Sequence, residues 1–96
     1  MLTSQGGVGS PLVDERRWSV SSAYVLVSVE PGMNQEVVAA LRQVVGVRQA
    51  HACWGQPDIF AFVEVDDDAA MVDTVLVTIQ AIPGVRTTET HLVAPV

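Results

Sequence analysis

Hydrophobic and polar positions alternate, or run as short β-branched and aromatic stretches, in four parts of the chain. Such stretches are typical of β-strands when they are flanked by turn residues, such as Pro-Gly and Gly-x-Pro-Asp. The sequence therefore predicts strands at residues 23–29, 47–54, 58–65 and 85–94.

Two other segments carry apolar residues at three- and four-residue spacing, which predicts a buried stripe on each of two helices. Asn34 is the predicted N-cap of the first helix, and Gly46 ends it. The acidic run at residues 66–68 begins the second helix, where carboxylates cap the helix and favour the positive end of its dipole, and the Pro-Gly pair at 83–84 ends it. The predicted stripes are Val37, Val38, Leu41, Val44 and Val45, then Val72, Val75, Leu76, Ile79 and Ile82.

The resulting element order is βαββαβ, and the two halves partly repeat each other. Residues 45–48 end the first helix and enter the second strand, and residues 83–86 do the same before the fourth strand. This order predicts an α+β, ferredoxin-like fold: a four-stranded antiparallel sheet with two helices on one face.

Both faces of the predicted sheet are apolar. One face receives Ala23, Val25, Val27, Val29, Ile59, Ala61, Val63 and Val65, and the other receives Tyr24, Leu26, Phe60 and Phe62. Two helices can cover only one face, and the other would expose more apolar surface than monomers usually do. We therefore expect the second face to pack on an identical sheet, which gives a dimeric α/β-barrel assembly.

The composition indicates one small domain, at residues 21–96, preceded by an irregular tail at 1–20. The tail has no apolar run long enough for a signal or membrane segment, and its Trp18 could fold back on the domain or a neighbouring subunit. Hydrophobic residues make up 49% of the chain and charged residues 17%, with a net charge of −6. An acidic chain repels phosphate, so direct nucleic-acid binding and membrane association are not expected.

The single cysteine, Cys53, cannot form an internal disulfide, which fits a reducing cytoplasm. We expect it to be a small buried residue of the second strand. His51 and His91 lie in the second and fourth predicted strands, which could neighbour each other in such a sheet. No motif supplies the third ligand that a metal site usually needs, so the sequence predicts no metal and no cofactor.

The segment Gly55-Gln56-Pro57-Asp58 has two interpretations. As a turn, its glycine permits a positive φ and its aspartate bonds nearby backbone. As a binding loop, its glycine leaves amide groups free for a ligand carboxylate, and its aspartate accepts from a ligand ammonium.

Residues 23–95 resemble the effector-binding domain of the Lrp/AsnC feast/famine transcription regulators, also called the RAM domain. The resemblance is carried by residues 23–27, 46–47, the Gly55-x-x-Asp58 loop, 82–85 and 88–90. It implies dimers that pack sheet to sheet and associate into rings, commonly octamers. It also implies that an amino acid or related metabolite binds between dimers, with Gly55, Asp58, Thr88 and Thr90 as site residues. Pro57 departs from the family, which often has an aromatic residue there.

Regulators of this family carry a helix-turn-helix domain before the effector domain. Only about twenty irregular residues precede the first predicted strand here, too few for a three-helix DNA reader. The resemblance is therefore to a stand-alone effector domain, which would sense a metabolite by itself or join a full-length regulator.

The alternative is a small enzyme of the dimeric α/β-barrel kind, such as a cofactor-independent monooxygenase. Such enzymes react substrates in a cavity between sheet and helices. The predicted helix stripes are filled with Val, Leu and Ile, and no catalytic constellation appears, so the sequence favours a non-enzymatic role.

Overall fold

The computed structural model describes residues 20–94. The predicted tail, including Trp18, therefore lies outside the described residues except for Val20. The elements are β1 (Ser21–Val29), α1 (Asn34–Arg42), β2 (Val47–Ala52), β3 (Ile59–Val65), α2 (Asp68–Asp73), its π-helical continuation (Thr74–Ile79) and β4 (Val85–Leu92). The predicted βαββαβ order is confirmed.

The four strands form one antiparallel sheet in the order β2-β3-β1-β4. The first strand lies between the third and the fourth, as a ferredoxin-like sheet requires. Its register places Val25 opposite both Ala61 of β3 and Thr90 of β4. This arrangement confirms the predicted fold class and sets β2 and β4 at opposite edges of the sheet.

The core lies between the helices and one face of the sheet, and the predicted inward faces of β1 and β3 are confirmed. Val25, Val27 and Ile59 are fully buried, and they pack with Leu41 and Ile79 from the two helical segments. The period-two alternation fixes these faces because a one-residue slip would move every one of these side chains to the other side. Within residues 20–94 neither helical segment is both long and apolar enough to cross a membrane.

The first helix ends earlier than predicted. Val44 and Val45 follow it in a pair of tight turns, and Val45 is 91% exposed, so these two valines are not part of a buried stripe. Asn34 is the first helical residue, and the N-cap is Met33 without a side-chain bond, which corrects the predicted cap. Gly46 has φ +99°, and an added Cβ would lie 2.7 Å from Cγ1 of Val65, so the glycine is required by both backbone and packing.

The second helix begins as predicted, because the carboxylate of Asp67 accepts from the backbone amide of Ala70. Of its predicted stripe, Val75 and Ile79 are buried, and Met71 is buried with them. Val72 and Leu76, predicted inward, are each 56% exposed. Residues four apart lie on the same side of a helix, so Met71 shares the inward side with Val75 and Ile79, and Val72 and Leu76 lie beside it.

The second strand also ends early, at Ala52. Cys53 and Trp54 belong to the following loop, and both are exposed, Trp54 fully so. The prediction that Cys53 is a buried strand residue is therefore wrong. The apolar run 52–54 is typical of a strand, but the loop leaves the sheet before these side chains can pack.

The internal repeat noted in the sequence has equivalent contacts in both halves. The carbonyl oxygen of Gly46 accepts from the amide of Glu64, and that of Gly84 accepts from the amide of Glu30, both at 2.8 Å. The same two glutamates meet the arginines that follow these glycines. Arg48 lies 3.6 Å from Glu64, and Arg86 lies 3.8 Å from Glu30.

Candidate functional site

The loop between β2 and β3 is closed by its own backbone. The amide of Cys53 donates to the carbonyl oxygen of Asp58 at 2.8 Å. Gly55 has φ +93°, and a Cβ added there would meet no atom within 4 Å. The loop therefore needs glycine for its backbone conformation and leaves open space beside it.

Asp58 ties this loop to the end of β1. Its Oδ2 accepts from the backbone amide of Val29 at 2.9 Å. A hydrogen bond to a charged acceptor is stronger than one between neutral groups. The half-buried carboxylate thus fixes where the third strand begins relative to the end of the first.

A cleft of about 470 Å³ opens beside this carboxylate, and we name it the Asp58 cleft. It lies where β1 ends and β3 and β4 begin, next to the start of α1. Its lining is mainly polar and includes three charged side chains. The lining residues are Ser28, Val29, Glu30, Pro31, Asn34, Gln56, Asp58, Arg86 and Thr87.

The charged groups of the Asp58 cleft are two carboxylates and one guanidinium. Nε of Arg86 lies 3.8 Å from Oε2 of Glu30, and both side chains are about 60% exposed. An ion pair so accessible to water is weak, so Arg86 can exchange its partner at small cost. The cleft can therefore offer both positive and negative partners to a small ligand.

The four residues expected at the site do not all meet in one subunit. Asp58 lines the cleft, and Gly55 belongs to the same loop without lining it. Thr88 and Thr90 lie opposite the buried Val27 and Val25, so they are on the helix-side face of β4. The hydroxyl of Thr88 accepts from the side-chain amide of Gln80 at 2.7 Å.

Sequence reasoning missed Glu30, Arg86 and Thr87 as cleft residues. The sequence pattern places Glu30 in a turn and Arg86 in the internal repeat, and no local motif connects these two residues. The signal that could have found them is the strand order. Once β1 and β4 are neighbours, the end of one and the start of the other share an edge, and the register irregularity between Ser28 and Val29 brings Val85 opposite Val29.

A second cleft, of about 620 Å³, lies between the two helical segments, and we name it the helix-pair cleft. It holds the repeat's other ion pair, Arg48 with Glu64, and also Asp66. Small and apolar side chains form more of its wall than in the Asp58 cleft. These are Ala40, Val44, Val45, Val65 and Ala70.

The two histidines are not neighbours. His51 lies on β2 opposite Phe60, and His91 lies on β4 opposite Tyr24, so β3 and β1 separate them. The possibility of a paired histidine site is therefore excluded within one subunit. His91 instead contacts Glu89, with Nε2 2.9 Å from Oε2. Residues 20–94 contain no group of three His, Cys, Asp or Glu side chains arranged to hold a metal ion.

The sheet face away from the helices is apolar at its centre, and we name it the open face. Tyr24 and Phe62 lie opposite each other with ring centroids 5.0 Å apart, and Leu26 lies opposite Phe60. Tyr24 is 52% exposed and Phe60 is 40% exposed. Polar residues of the edge strands, among them His51 and Glu89, border this patch.

Comparison with solved structures shows the same fold in several proteins. The protein TTHA0845 from Thermus thermophilus is 26% identical with a TM-score of 0.75, and the match covers 79% of this chain and 95% of that one. FFRP-DM1 is 23% identical with a TM-score of 0.74, covering 77% of this chain and 99% of that one. The transcriptional regulator NMB0573 from Neisseria meningitidis, solved as a complex with L-Met, is 24% identical with a TM-score of 0.69. That match covers 77% of this chain but only 49% of the regulator, so the chain spans about half of its length.

No curated protein sequence matches this chain. The family of Lrp/AsnC ligand-binding domains, however, matches it across residues 22–94. This range includes both helical segments and the whole sheet apart from the first residue of β1. The chain therefore belongs to the Lrp/AsnC family, through its ligand-binding domain.

Proposed function

We propose that this chain is a non-catalytic effector domain that binds an amino acid or a related small metabolite and assembles into homo-oligomers in the cytoplasm. The observation that carries the proposal is the Asp58 cleft, a mixed-charge cavity beside the β2–β3 loop of an Lrp/AsnC ligand-binding domain. An amino acid presents one carboxylate and one ammonium group. The guanidinium of Arg86 and the carboxylate of Asp58 are suitable partners for these groups.

The remaining expected site residues, Gly55, Thr88 and Thr90, stay part of the proposed site. In the family the effector lies between dimers, so residues of one site need not share a cleft within one subunit. Thr90 is exposed on the edge strand β4, where another subunit can reach it. The proposed site therefore combines the loop of one subunit with the edge strand of another.

Homo-oligomer formation is supported by the open face. Its four central side chains are aromatic or aliphatic, and two of them are 40% or more exposed in the single subunit. An identical sheet across a two-fold axis would bury this patch and leave the polar border at the rim. We propose that such dimers associate further into rings, commonly octamers in this family.

The proposed role is to sense a metabolite, alone or in association with a full-length Lrp/AsnC regulator. A non-enzymatic role is supported by the layer between sheet and helices, where an enzyme of the dimeric α/β-barrel kind would hold its substrate. In this chain that layer is filled by aliphatic side chains. The largest fully buried ones are Leu41, Ile59, Ile79, Val25, Val27, Val37 and Val63.

Native mass spectrometry and thermal unfolding with a panel of the L-amino acids test this proposal. We expect an assembly larger than a dimer and a rise in unfolding temperature with at least one amino acid. A ligand at a hundredfold excess over its Kd adds about 2.7 kcal/mol to the free energy of unfolding. An unchanged unfolding temperature with every amino acid would contradict the proposed function.

The dimer surface has its own test. Phe60→Glu places a charge at the centre of the open face, and burying an unpaired carboxylate costs several kcal/mol. We expect this variant to be monomeric by light scattering at concentrations where the parent chain is a dimer or larger. The matched control is Leu76→Glu, which puts the same charge on an exposed apolar position of the second helix and should leave the dimer intact. Dimers of unchanged stability with Phe60→Glu would exclude the open face as the interface.

A further inference from the structure

The Asp58 cleft is unusually polar for a site that binds an apolar amino acid. Of its lining residues, only Val29 and Pro31 are apolar. An aliphatic ligand side chain would gain little hydrophobic contact there and would displace water from charged groups without replacing its hydrogen bonds. The lining therefore favours a ligand whose side chain is itself polar or charged.

The charges of the cleft also indicate which charges a ligand must carry to balance them. Oδ2 of Asp58 binds the amide of Val29, and within residues 20–94 its Oδ1 has no hydrogen-bond partner. Glu30 pairs only loosely with Arg86, at 3.8 Å. The cleft thus has two carboxylates and one guanidinium, which is one negative charge in excess.

A ligand carboxylate is the natural partner for Arg86, because guanidinium and carboxylate can form two parallel hydrogen bonds. Once Arg86 turns to the ligand, Glu30 loses its cation. The ligand ammonium can neutralise Asp58, but a neutral amino acid then leaves Glu30 unpaired. A second positive group on the ligand would restore the balance.

We propose that the Asp58 cleft selects amino acids with a basic side chain over apolar amino acids, with Arg86 binding the carboxylate, Asp58 the α-ammonium and Glu30 the side-chain cation. This inference rests on the proposed effector function and names the ligand class of the same site. One anionic and two cationic groups on the ligand match two carboxylates and one guanidinium in the cleft.

The internal repeat supplies a control for this assignment. Arg48 and Glu64 form an equivalent exposed ion pair in the other half of the chain, where they line the helix-pair cleft. That cleft has a larger apolar share, from residues such as Val44 and Ala70. Glu64→Gln therefore removes the same charge as Glu30→Gln but outside the proposed site.

The test is isothermal titration of the full chain with L-lysine and L-norleucine, which have the same carbon chain and differ by the side-chain ammonium. We expect lysine to bind about two- to fivefold more tightly, the range that an accessible ion pair contributes. Glu30→Gln should lower the lysine-to-norleucine ratio about two- to fivefold. Glu64→Gln should leave the ratio unchanged. Unfolding curves without ligand confirm that both variants fold.

The outcomes separate this inference from the function on which it rests. If norleucine binds as tightly as lysine, or more tightly, the selectivity is wrong while the effector function stands. If lysine is preferred but Glu30→Gln leaves the ratio unchanged, or Glu64→Gln lowers it equally, the assignment to the Asp58 cleft is wrong. If none of the L-amino acids changes the unfolding temperature, the proposed effector function itself fails.

Discussion

The carboxylate of Asp58 has two tasks that two substitutions can separate. Oδ2 holds the backbone amide of Val29 at 2.9 Å, within the normal range for such a bond. Asp58→Ala removes this acceptor and also the negative charge that we assign to the ligand ammonium. Asp58→Asn keeps an acceptor oxygen of similar reach and removes only the charge.

The expected loss of stability follows from the burial of this bond. A hydrogen bond to a charged group contributes about 1.5–3 kcal/mol, and the half-exposed position of Asp58 reduces this to about 1–2 kcal/mol. For a domain of this size each kcal/mol corresponds to a shift of about 4–8 °C in unfolding temperature. We therefore expect Asp58→Ala to unfold at least about 4 °C lower, and Asp58→Asn to lose about half as much, because its amide oxygen keeps a neutral hydrogen bond to Val29.

Both tasks are measured by thermal unfolding at one fixed protein concentration. Each chain is unfolded without ligand and with the amino acid that stabilises the parent chain most. Both variants should lose most of the ligand-induced rise, since neither has a charge for the ammonium. A full ligand response in Asp58→Asn would refute the binding role. An Asp58→Ala variant as stable as the parent would refute the structural role of the bond to Val29.

Two further predictions concern the fold that holds the cleft. Gly46→Ala should destabilise the chain by about 2–4 kcal/mol in chemical unfolding, because a Cβ would lie 2.7 Å from Cγ1 of Val65 and φ is +99°. Gly32→Ala, with φ +83° and no atom within 4 Å, should cost only about 1–2 kcal/mol, and equal losses would show that packing at Gly46 is unimportant. Asp67→Ala should cost about 0.5–2 kcal/mol by the same measurement, since it removes the acceptor for the amide of Ala70. An unchanged midpoint would mean that the second helix does not depend on this cap.

The sequence predicted the sheet well because its signal is local. Alternation along β1 and β3 assigns each side chain to a face, and the buried Val25 and the exposed Tyr24 follow it directly. The apolar open face was predicted for the same reason. The strand order was not predicted, and the expectation that the second and fourth strands could be neighbours is wrong, because β3 and β1 lie between them.

The helices were predicted less well, because the composition does not reveal where each helix ends or which of its residues face the core. Val72 and Leu76 fit a regular helical stripe with Val75 and Ile79, but the inward face carries Met71 in their place. Val45 fits the first stripe, yet the helix ends at Arg42 and leaves it in a turn. Trp54 was likewise assigned to a strand that ends two residues earlier.

The candidate site could be predicted only in part, because it is made by tertiary contacts. Asp58 was identified from a loop motif that can be read locally. Arg86 and Glu30 are distant in sequence and meet only because β4 pairs with β1. The polar character of the cleft, and with it the class of ligand, therefore follows from the fold rather than from any motif.

The turn and binding interpretations of Asp58 would compete only if its carboxylate could serve a single partner. It has two oxygens, and the bond from Val29 occupies one of them. That bond also fixes the orientation of the carboxylate before any ligand arrives, so less conformational entropy is lost when a ligand ammonium binds the other oxygen. A residue that anchors the loop is therefore better prepared to bind than a free aspartate would be. For this reason Asp58→Asn, which preserves the anchor and removes the charge, is the sharper test of binding.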